Sequence, residues 1–110
     1  MPIPNANHAY VPAEKITDYL LNEQHPIGGG KAKWFRSLGY DAADLERDLR
    51  KLVNDSDDIT RKDSPFGVKY VVSGLVTTPN GQTVNVTTVW IVEPSETNPR
   101  LVTAYPGEKP

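Results

Sequence analysis

Apolar residues occur at alternate positions through the second half of the chain, and this spacing is typical of half-buried β-strands. Two runs, Val68–Thr78 and Gln82–Val92, have it most clearly, with Asn80-Gly81 between them. Asn-Gly between two alternating runs is a strong short-range signal for a β-hairpin. A third run, Pro99–Tyr105, has the same alternation. Residues 64–105 are therefore predicted to form a β-meander.

The first half has the spacing of amphipathic helices instead. Pro12 suits the first position of a helix, because its missing N–H would have no intrahelical partner there. A second helix is predicted from about Lys31 to Leu38, with Gly39 as a left-handed cap. Asp41 is typical of the N-cap of a third helix. We assign residues 11–53 to this helical half. The apolar stripe of the third helix consists of Ala42, Leu45, Leu49 and Leu52.

Together these patterns predict an α+β protein, in which two or three N-terminal helices pack on a three- or four-stranded antiparallel sheet. Residues 1–110 are expected to form a single domain, because neither half is large enough to fold well alone. Residues 1–10 are expected to be an extended lead-in, and residues 106–110 a frayed tail. A short sheet has open edges, so a homodimer that pairs through one edge is a further expectation.

Composition then excludes several classes of chemistry. The chain has no cysteine, which excludes disulfide frameworks, thiolate zinc sites and cysteine nucleophiles. Its two histidines cannot form a histidine-rich metal site, and we expect neither a metal nor a cofactor. The net charge of −2 gives no global positive field that would attract nucleic acid. No apolar run approaches the roughly 20 residues that span a bilayer, so we expect a cytoplasmic protein without membrane contact.

The segment HPIGGGKAKWFRSLGY, residues 25–40, carries the strongest indication of a binding site. A glycine-rich turn that leads into a basic helix would bring N–H groups, a helix dipole and cationic side chains to one anion. The spacing is not that of a P-loop, because Ala32 stands where Ser or Thr would bind Mg²⁺. The alternative is a tight turn beside a solvated basic face, and the sequence leaves both open. The candidate phosphate-binding residues are Gly29, Gly30, Lys31, Lys33 and Arg36 within the segment Gly28–Arg36.

His25 lies beside this turn and is the candidate general acid or base, because imidazole exchanges protons near neutral pH. It precedes Lys31 by six residues, which is compatible with action on a phosphate that Lys31 holds. The alternative is a histidine that packs against the first helix or caps it. For His25 taken alone, this structural alternative is favoured.

Hydroxyl and aromatic side chains on the predicted strands supply the remaining candidates. Thr88 and Trp90 share one strand face, and Thr103 and Tyr105 share a face of the next strand, so that pairing could bring all four together. Hydroxyl groups donate to phosphate oxygens, and aromatic rings stack on the bases of single-stranded RNA. The alternative is a structural role. It is favoured for Trp90, which stands among valines, and threonine is in any case a good strand former.

The order of these motifs resembles an uncharacterised-domain family of small bacterial proteins. Members of this family also occur as C-terminal modules of secreted polymorphic toxins. The resemblance extends from Ile16 to Pro106, which is nearly the whole chain. Its most specific parts are Gly30-Lys31-Ala32, Thr88-Val89-Trp90 and Thr103-Ala104-Tyr105-Pro106.

Helices followed by an antiparallel meander also resemble the metal-independent endoribonuclease toxins of the barnase/EndoU/RelE-like group. This resemblance at the level of the fold implies cleavage of RNA by attack of the ribose 2′-OH on the adjacent phosphorus, without a metal or cofactor. It implies that His25 is the acid or base and that Lys31 contacts the phosphate. Thr88, Thr103 and Tyr105 would then be the polar groups on the side of the sheet.

The leading hypothesis is therefore a toxin-like, metal-independent endoribonuclease, with RNA and a cognate antitoxin or immunity protein as partners. The alternative is a non-enzymatic interaction module, such as an antitoxin, an immunity-like protein or a regulatory protein. The acidic balance of the chain and the mixed charges of the third helix favour this alternative. A third hypothesis is a small-ligand pocket between helices and sheet that supports no chemistry.

Overall fold

The computed structural model describes residues 3–26 and 29–107. The helices are a 3₁₀ turn at Ala6–His8, α1 at Ala13–Lys15 with a π-helical continuation at Ile16–Leu20, α2 at Gly29–Ser37 and α3 at Ala42–Asp55. The strands are β1 at Asp58–Ser64, β2 at Gly67–Thr77, β3 at Thr83–Val92 and β4 at Arg100–Pro106. In these residues the strands form an antiparallel sheet in the order β1-β2-β3-β4. The α+β prediction is confirmed.

Parts of three sequence predictions fall outside the described residues. They are the first two positions of the lead-in, Gly28 of the glycine turn, and the last three positions of the tail. Pro106 itself is the last residue of β4, because it stands opposite Val86 in the register of the sheet.

The alternation of apolar residues corresponds to the burial of the sheet. β2 and β3 pair in continuous register, with Tyr70 opposite Trp90 and Val76 opposite Val84. The face that the helices cover holds the fully buried Val72 and Trp90. Side chains on a strand point alternately to the two faces, so the apolar parity of each strand forms the core.

Asp41 and Gly39 have the capping roles that the sequence predicts, whereas α1 begins at Ala13, one residue after Pro12, and α2 includes Gly29, two residues before the predicted Lys31. The Asp41 carboxylate accepts a hydrogen bond of 2.8 Å from the Asp44 N–H, which is an N-cap interaction. Gly39 follows α2 with φ 89°, a conformation that glycine adopts without strain. Among residues 3–26 and 29–107, no helix is long and apolar enough to cross a membrane.

β1 begins at Asp58, earlier than the change near residue 64 that the sequence predicts. Most of its side chains are exposed, since it is an edge strand of polar residues. An edge strand that buries neither face does not show alternating apolar positions, which is why the pattern did not reveal it.

The first ten residues also differ from an extended lead-in. Ile3, Ala6 and Ala9 are buried in the core around a 3₁₀ turn. Tyr10 forms a parallel bridge with Arg100: its N–H donates to the Pro99 carbonyl, and its carbonyl accepts from the Leu101 N–H. Small apolar residues without a period give no sequence signal, although here they cover part of the outer edge of β4.

The pairing of β4 with β3 contains one irregularity. Thr103 stands opposite Val89, whereas Leu101 stands opposite Trp90, so that β4 has one residue more than β3 at this point. Such a bulge changes the direction of the strand and re-aims its side chains. Leu101 and Ala104 are fully buried, while Thr103 and Tyr105 remain partly exposed.

Candidate active site

The side chain of Lys31 connects α2 with the π-helical end of α1 and with β4. Its Nζ lies 2.7 Å from the Tyr19 hydroxyl and 3.3 Å from Thr103 Oγ1. The two hydroxyl oxygens are 3.1 Å apart. An ammonium group has donors only, so Lys31 donates in both of its bonds. We refer to Lys31, Tyr19 and Thr103 as the Lys31 cluster.

A close backbone approach at Gly29 brings α2 against the segment that contains Glu23. Gly29 is buried, and its N–H donates to the His25 carbonyl at 3.0 Å. A Cβ atom at this position would lie 2.7 Å from the Glu23 carbonyl oxygen. Only glycine therefore allows α2 to start so close to the preceding segment. Lys31 then occupies the first turn of α2, from which its side chain reaches β4.

The Lys31 ammonium has no counter-ion among the described residues. Its side chain is half-buried, and no carboxylate in the described ranges lies within 4.0 Å of its Nζ. Two of its three donors are used by hydroxyl groups, which leaves one for a ligand. Since withdrawal of a charge from water is unfavourable unless it is paired, this position favours an anionic ligand.

The pKa of the Tyr19 hydroxyl reflects the same surroundings. Burial raises this pKa, but the hydrogen bonds with Lys31 and Thr103 and the charges of Lys31 and Lys15 lower it. The lowering effects outweigh burial, and the pKa of Tyr19 lies below the usual value of 10.0. Nearby cations favour the charged phenolate over the neutral phenol.

Aromatic and cationic groups surround the Tyr19 ring. The His25 ring packs against it edge-on, with the ring centroids 4.9 Å apart and an interplanar angle of 74°. The Lys15 Nζ lies 5.5 Å from its centroid. The Lys31 Nζ is 5.3 Å from the same centroid and 5.7 Å from that of Tyr105. One small region thus contains two ammonium groups, an imidazole and two phenols.

Two open cavities adjoin these groups. The first, of about 450 Å³, is lined by Lys15, Tyr19, His25, Val102 and Thr103. The second, of about 320 Å³, shares the first three of these residues. Its lining consists of Pro12, Glu14, Lys15, Asp18, Tyr19, His25 and Arg100. Two members of the Lys31 cluster, Tyr19 and Thr103, therefore line the first cavity, and Lys31 lies directly behind their hydroxyl groups.

The structure brings together four of the five residues predicted for catalysis. Lys31 and Thr103 are bonded to each other, while His25 and Tyr105 lie against Tyr19 and Lys31. They come from α2, β4 and the loop before α2, which are distant in the chain.

Thr88 is not part of this group. It is fully buried; its hydroxyl donates to the Val72 carbonyl at 2.9 Å and accepts from Trp90 Nε1 at 2.8 Å. The expectation that all four strand residues meet does not match the structure. Thr88 stands opposite Ala104, and Thr103 stands opposite Val89, so the side chains of the two threonines point to opposite faces of the sheet.

The predicted phosphate-binding residues of the glycine turn also separate. Lys33 is exposed and two positions from Lys31, which on a helix is the opposite side. Arg36 donates to the Leu21 carbonyl at 2.7 Å and lies 3.6 Å from the Glu23 carboxylate. The Gly29 N–H already donates to the His25 carbonyl, and Gly30 is exposed. Of these predicted phosphate-binding residues, only Lys31 belongs to the Lys31 cluster.

Tyr19 and Lys15 are the two residues of the site that the sequence analysis did not select. Tyr19 has the spacing of an apolar residue on the first helix, and its hydroxyl could equally have faced solvent. The only sequence signal was a lysine four positions before a tyrosine, which places both on one helix face. That signal is too common to identify a site.

Comparisons with known proteins concern the family and the fold. A family model described as a domain of unknown function, DUF6883, matches residues 2–108. A chain of the solved "Contact-dependent growth inhibition toxin - immunity protein complex from Klebsiella pneumoniae 342" matches with a TM-score of 0.74 and 19% sequence identity. The match covers 96% of this chain and 98% of that chain, and at this identity it shows a shared fold alone. No curated protein matches the chain.

Proposed function

The chain belongs to the DUF6883 family, and we propose that it is a toxin-like endoribonuclease that cleaves RNA phosphodiesters without a metal ion. One observation carries the proposal: the half-buried Lys31 ammonium has no counter-ion in the described residues and is held by two hydroxyl groups beside an imidazole and an open cavity. These groups fit a phosphodiester and the charge that develops on it during cleavage.

The reaction requires little besides proton transfer and charge stabilisation. The ribose 2′-oxygen forms a bond to phosphorus, and the bond from phosphorus to the 5′-oxygen of the next nucleotide breaks. A base takes the proton of the 2′-hydroxyl, and an acid gives a proton to the leaving 5′-oxygen. The products are a 2′,3′-cyclic phosphate and a 5′-hydroxyl. Stabilisation of the negative phosphorane by preorganised donors is the largest contribution that such a site can make.

The Lys31 cluster offers a group for each of these tasks. Lys31 supplies a fixed positive charge and one remaining donor for a non-bridging phosphate oxygen. Thr103 supplies a hydroxyl next to it. His25 and Tyr19 are the proton-transfer pair: imidazole exchanges protons near neutral pH, and the lowered pKa of Tyr19 makes its phenol a better acid. Tyr105 lies beside the ammonium, where its ring can stack on a base.

The shared fold supports the toxin-related part of the proposal. The chain resembles, over almost its full length, one chain of a complex between a contact-dependent growth inhibition toxin and its immunity protein. Because the net charge of the chain is −2, attraction to RNA would depend on the local cationic site rather than on the charge of the whole protein.

A second candidate is an immunity-like or other interaction module without enzymatic activity. It is favoured by the net charge of −2, which gives the chain no general attraction to RNA. Expression in a bacterial host separates the two candidates. An endoribonuclease toxin depresses growth when it is expressed alone, whereas an immunity-like module leaves growth unchanged.

The direct test is incubation of total cellular RNA and of transfer RNA with the purified protein in excess EDTA. We expect cleavage with 2′,3′-cyclic phosphate ends, reduced by about 100-fold or more in Lys31→Ala, the range found when a charge-stabilising donor is removed. Lys62→Ala is the matched control, because Lys62 is an exposed lysine of β1 far from the cluster. Absence of cleavage in the unmodified protein would overturn the proposal, and equal cleavage by Lys31→Ala would overturn the site.

A further inference from the structure

A second candidate site lies toward the opposite edge of the sheet, where β2 extends beyond the start of β1. β1 begins opposite Ser73, so that no strand within residues 3–26 and 29–107 pairs with Gly74–Thr77 on that side. The interruption occurs because the chain leaves α3 at Asp55 and enters β1 at Asp58. We propose that an extended, basic segment of a partner protein binds here as an added strand, in line with β1. The proposal is independent of the ribonuclease activity.

The backbone groups of this segment point in the required direction. The Thr78 N–H donates to the Gln82 carbonyl across the hairpin at 2.7 Å. In an antiparallel strand the N–H and carbonyl of one residue point to the same side, and successive residues alternate. Since Thr78 faces β3, the N–H and carbonyl groups of Leu75 and Thr77 face away from β3, toward the vacant position. The Ser73 carbonyl, which faces the same way as those of Leu75 and Thr77, accepts a hydrogen bond from the Ser56 hydroxyl.

The vacant position is a groove between α3 and β2. It has a volume of about 430 Å³. Gly74 allows α3 to lie close here, because a Cβ at this position would lie 2.6 Å from the Leu52 Cδ1 atom. A groove with a helix on one side and a strand edge on the other is the geometry in which extended peptides bind by strand addition. Its lining consists of Asp48, Lys51, Leu52, Asp55, Ser56, Gly74, Leu75, Val76 and Thr77.

The charge of the groove determines the chemistry of its partner. Asp55 is exposed in the last turn of α3, where the helix dipole disfavours a carboxylate and where no basic residue is present. Asp57 and Asp58 follow directly. No lysine or arginine of the described residues lies within 4.0 Å of these three carboxylates. Lys51 is the only basic residue in the lining, so the groove favours a basic segment.

Apolar contacts complete the fit. Leu75 is 64% exposed on the face of β2 away from α3, whereas Leu52 and Val76 line the groove on the α3 side. An extended segment places alternate side chains on its two faces. A segment that alternates basic and apolar residues would therefore direct its apolar side chains toward Leu75 and its basic side chains toward the carboxylate of Asp55 on the α3 side.

The probe for this site is a capped hexapeptide of alternating lysine and valine, titrated into the isotope-labelled full chain and followed by amide NMR. We expect chemical-shift changes confined to residues 48–58 and 74–77. Asp55→Lys should weaken binding about fivefold or more, since one exposed ion pair contributes up to about 1 kcal/mol and the change also adds repulsion. Glu96→Lys is the control, because it makes the same charge change in the loop before β4.

Two further peptides separate strand addition from general charge attraction. A peptide of alternating glutamate and valine tests the charge preference, and a fully N-methylated lysine–valine peptide removes the donors needed for the edge of β2. Both should bind at least tenfold more weakly. The proposal is overturned if either binds as well as the first peptide, or if the amides of Leu75 and Thr77 do not respond. Concentration-dependent shifts of these amides without peptide would assign the groove to a second copy of this chain instead.

Discussion

Lys31 and Thr103 are 72 residues apart in the chain, yet the Lys31 Nζ lies 3.3 Å from Thr103 Oγ1. This contact joins the helical half to the last strand of the sheet at the position where a bulge re-aims β4. The Tyr19 hydroxyl completes the Lys31 cluster, because it forms hydrogen bonds with both side chains. The candidate active site therefore depends on the packing of α2 against the rest of the fold, and its members can be tested separately.

Tyr19→Phe should reduce RNA cleavage about 100-fold or more while it leaves the fold intact, because it removes the proton-transferring hydroxyl and retains the ring that packs on His25. The measurement is the initial rate on transfer RNA in EDTA, with thermal unfolding as the check on folding. A variant that cleaves as fast as the unmodified protein would show that the phenol takes no part in the reaction.

The lowered pKa of Tyr19 predicts a pH dependence of stability. The folded protein releases the phenolic proton at a lower pH than the unfolded chain does, so between the two pKa values the unfolded chain binds more protons. The free energy of unfolding therefore gains a contribution as pH rises from the folded pKa toward 10.0, and loses it as pH falls back through the folded pKa.

The check is urea unfolding of the unmodified protein and of Tyr19→Phe between about pH 8 and about pH 10. The difference in stability between the two proteins should shift in favour of tyrosine as the pH rises. Lys31→Met should remove most of this shift, because it deletes the donor and charge that lower the Tyr19 pKa. A difference that stays constant with pH would contradict the prediction.

Thr88→Val and Thr103→Val should have opposite consequences. Thr88→Val leaves the buried Trp90 Nε1–H without its acceptor, and should lower the free energy of unfolding by about 1–3 kcal/mol, with little change in cleavage per folded molecule. Thr103→Val should lower stability less, because Thr103 is only partly buried, but should slow cleavage. Urea unfolding and initial rates measured on the same samples separate the two effects. Slower cleavage by folded Thr88→Val would place Thr88 in the site after all.

Gly29→Ala and Gly30→Ala form a matched pair at the start of α2. A Cβ at Gly29 would lie 2.7 Å from the Glu23 carbonyl oxygen, whereas one at Gly30 would meet nothing within 4 Å. Gly29→Ala should therefore destabilise the protein by about 1–3 kcal/mol, and Gly30→Ala should stabilise it by about 0.5–1 kcal/mol. Unfolding midpoints provide the comparison. Equal effects of both changes would show that α2 is not held by its contact with residue 23.

Gly74→Ala tests the packing that forms the groove between α3 and β2. The added methyl group would lie 2.6 Å from Leu52 Cδ1, so α3 must shift or Leu52 must change rotamer, at a cost of about 1–3 kcal/mol in the free energy of unfolding. Gly81→Ala is not a suitable control, because Gly81 has φ 88°. Leu52→Ala combined with Gly74→Ala should restore part of the loss relative to Leu52→Ala alone. Additive losses would mean that the two side chains do not compete for the same space.

The parts of the fold that the sequence predicted correctly are those that depend on residues close together in the chain. The hairpin at Asn80-Gly81, the Asp41 cap and the alternation of β2 and β3 depend on neighbouring residues alone, and the structure agrees with them. β1 and the first ten residues were not recognised as packed elements. The former buries neither face, and the latter consist of small apolar residues without a period.

The candidate site was predictable only in part. Lys31, His25, Thr103 and Tyr105 attract attention as polar or aromatic residues in unusual segments, and the fold brings them together. Tyr19 and Lys15 had no such signal. Thr88 had the same sequence signal as Thr103, yet it lies on the buried face of β3, where its hydroxyl accepts from Trp90 Nε1.

The sequence by itself determined the elements, because hydrophobic period, capping residues and turn dipeptides act over a few positions. The tertiary structure decided which polar side chains meet, since that depends on the close approach at Gly29 and on one extra residue in β4. It also decided that β1 stops short of the end of β2 and leaves a groove beside α3. Contacts between distant segments depend on the summed packing of the whole core, which no local pattern encodes.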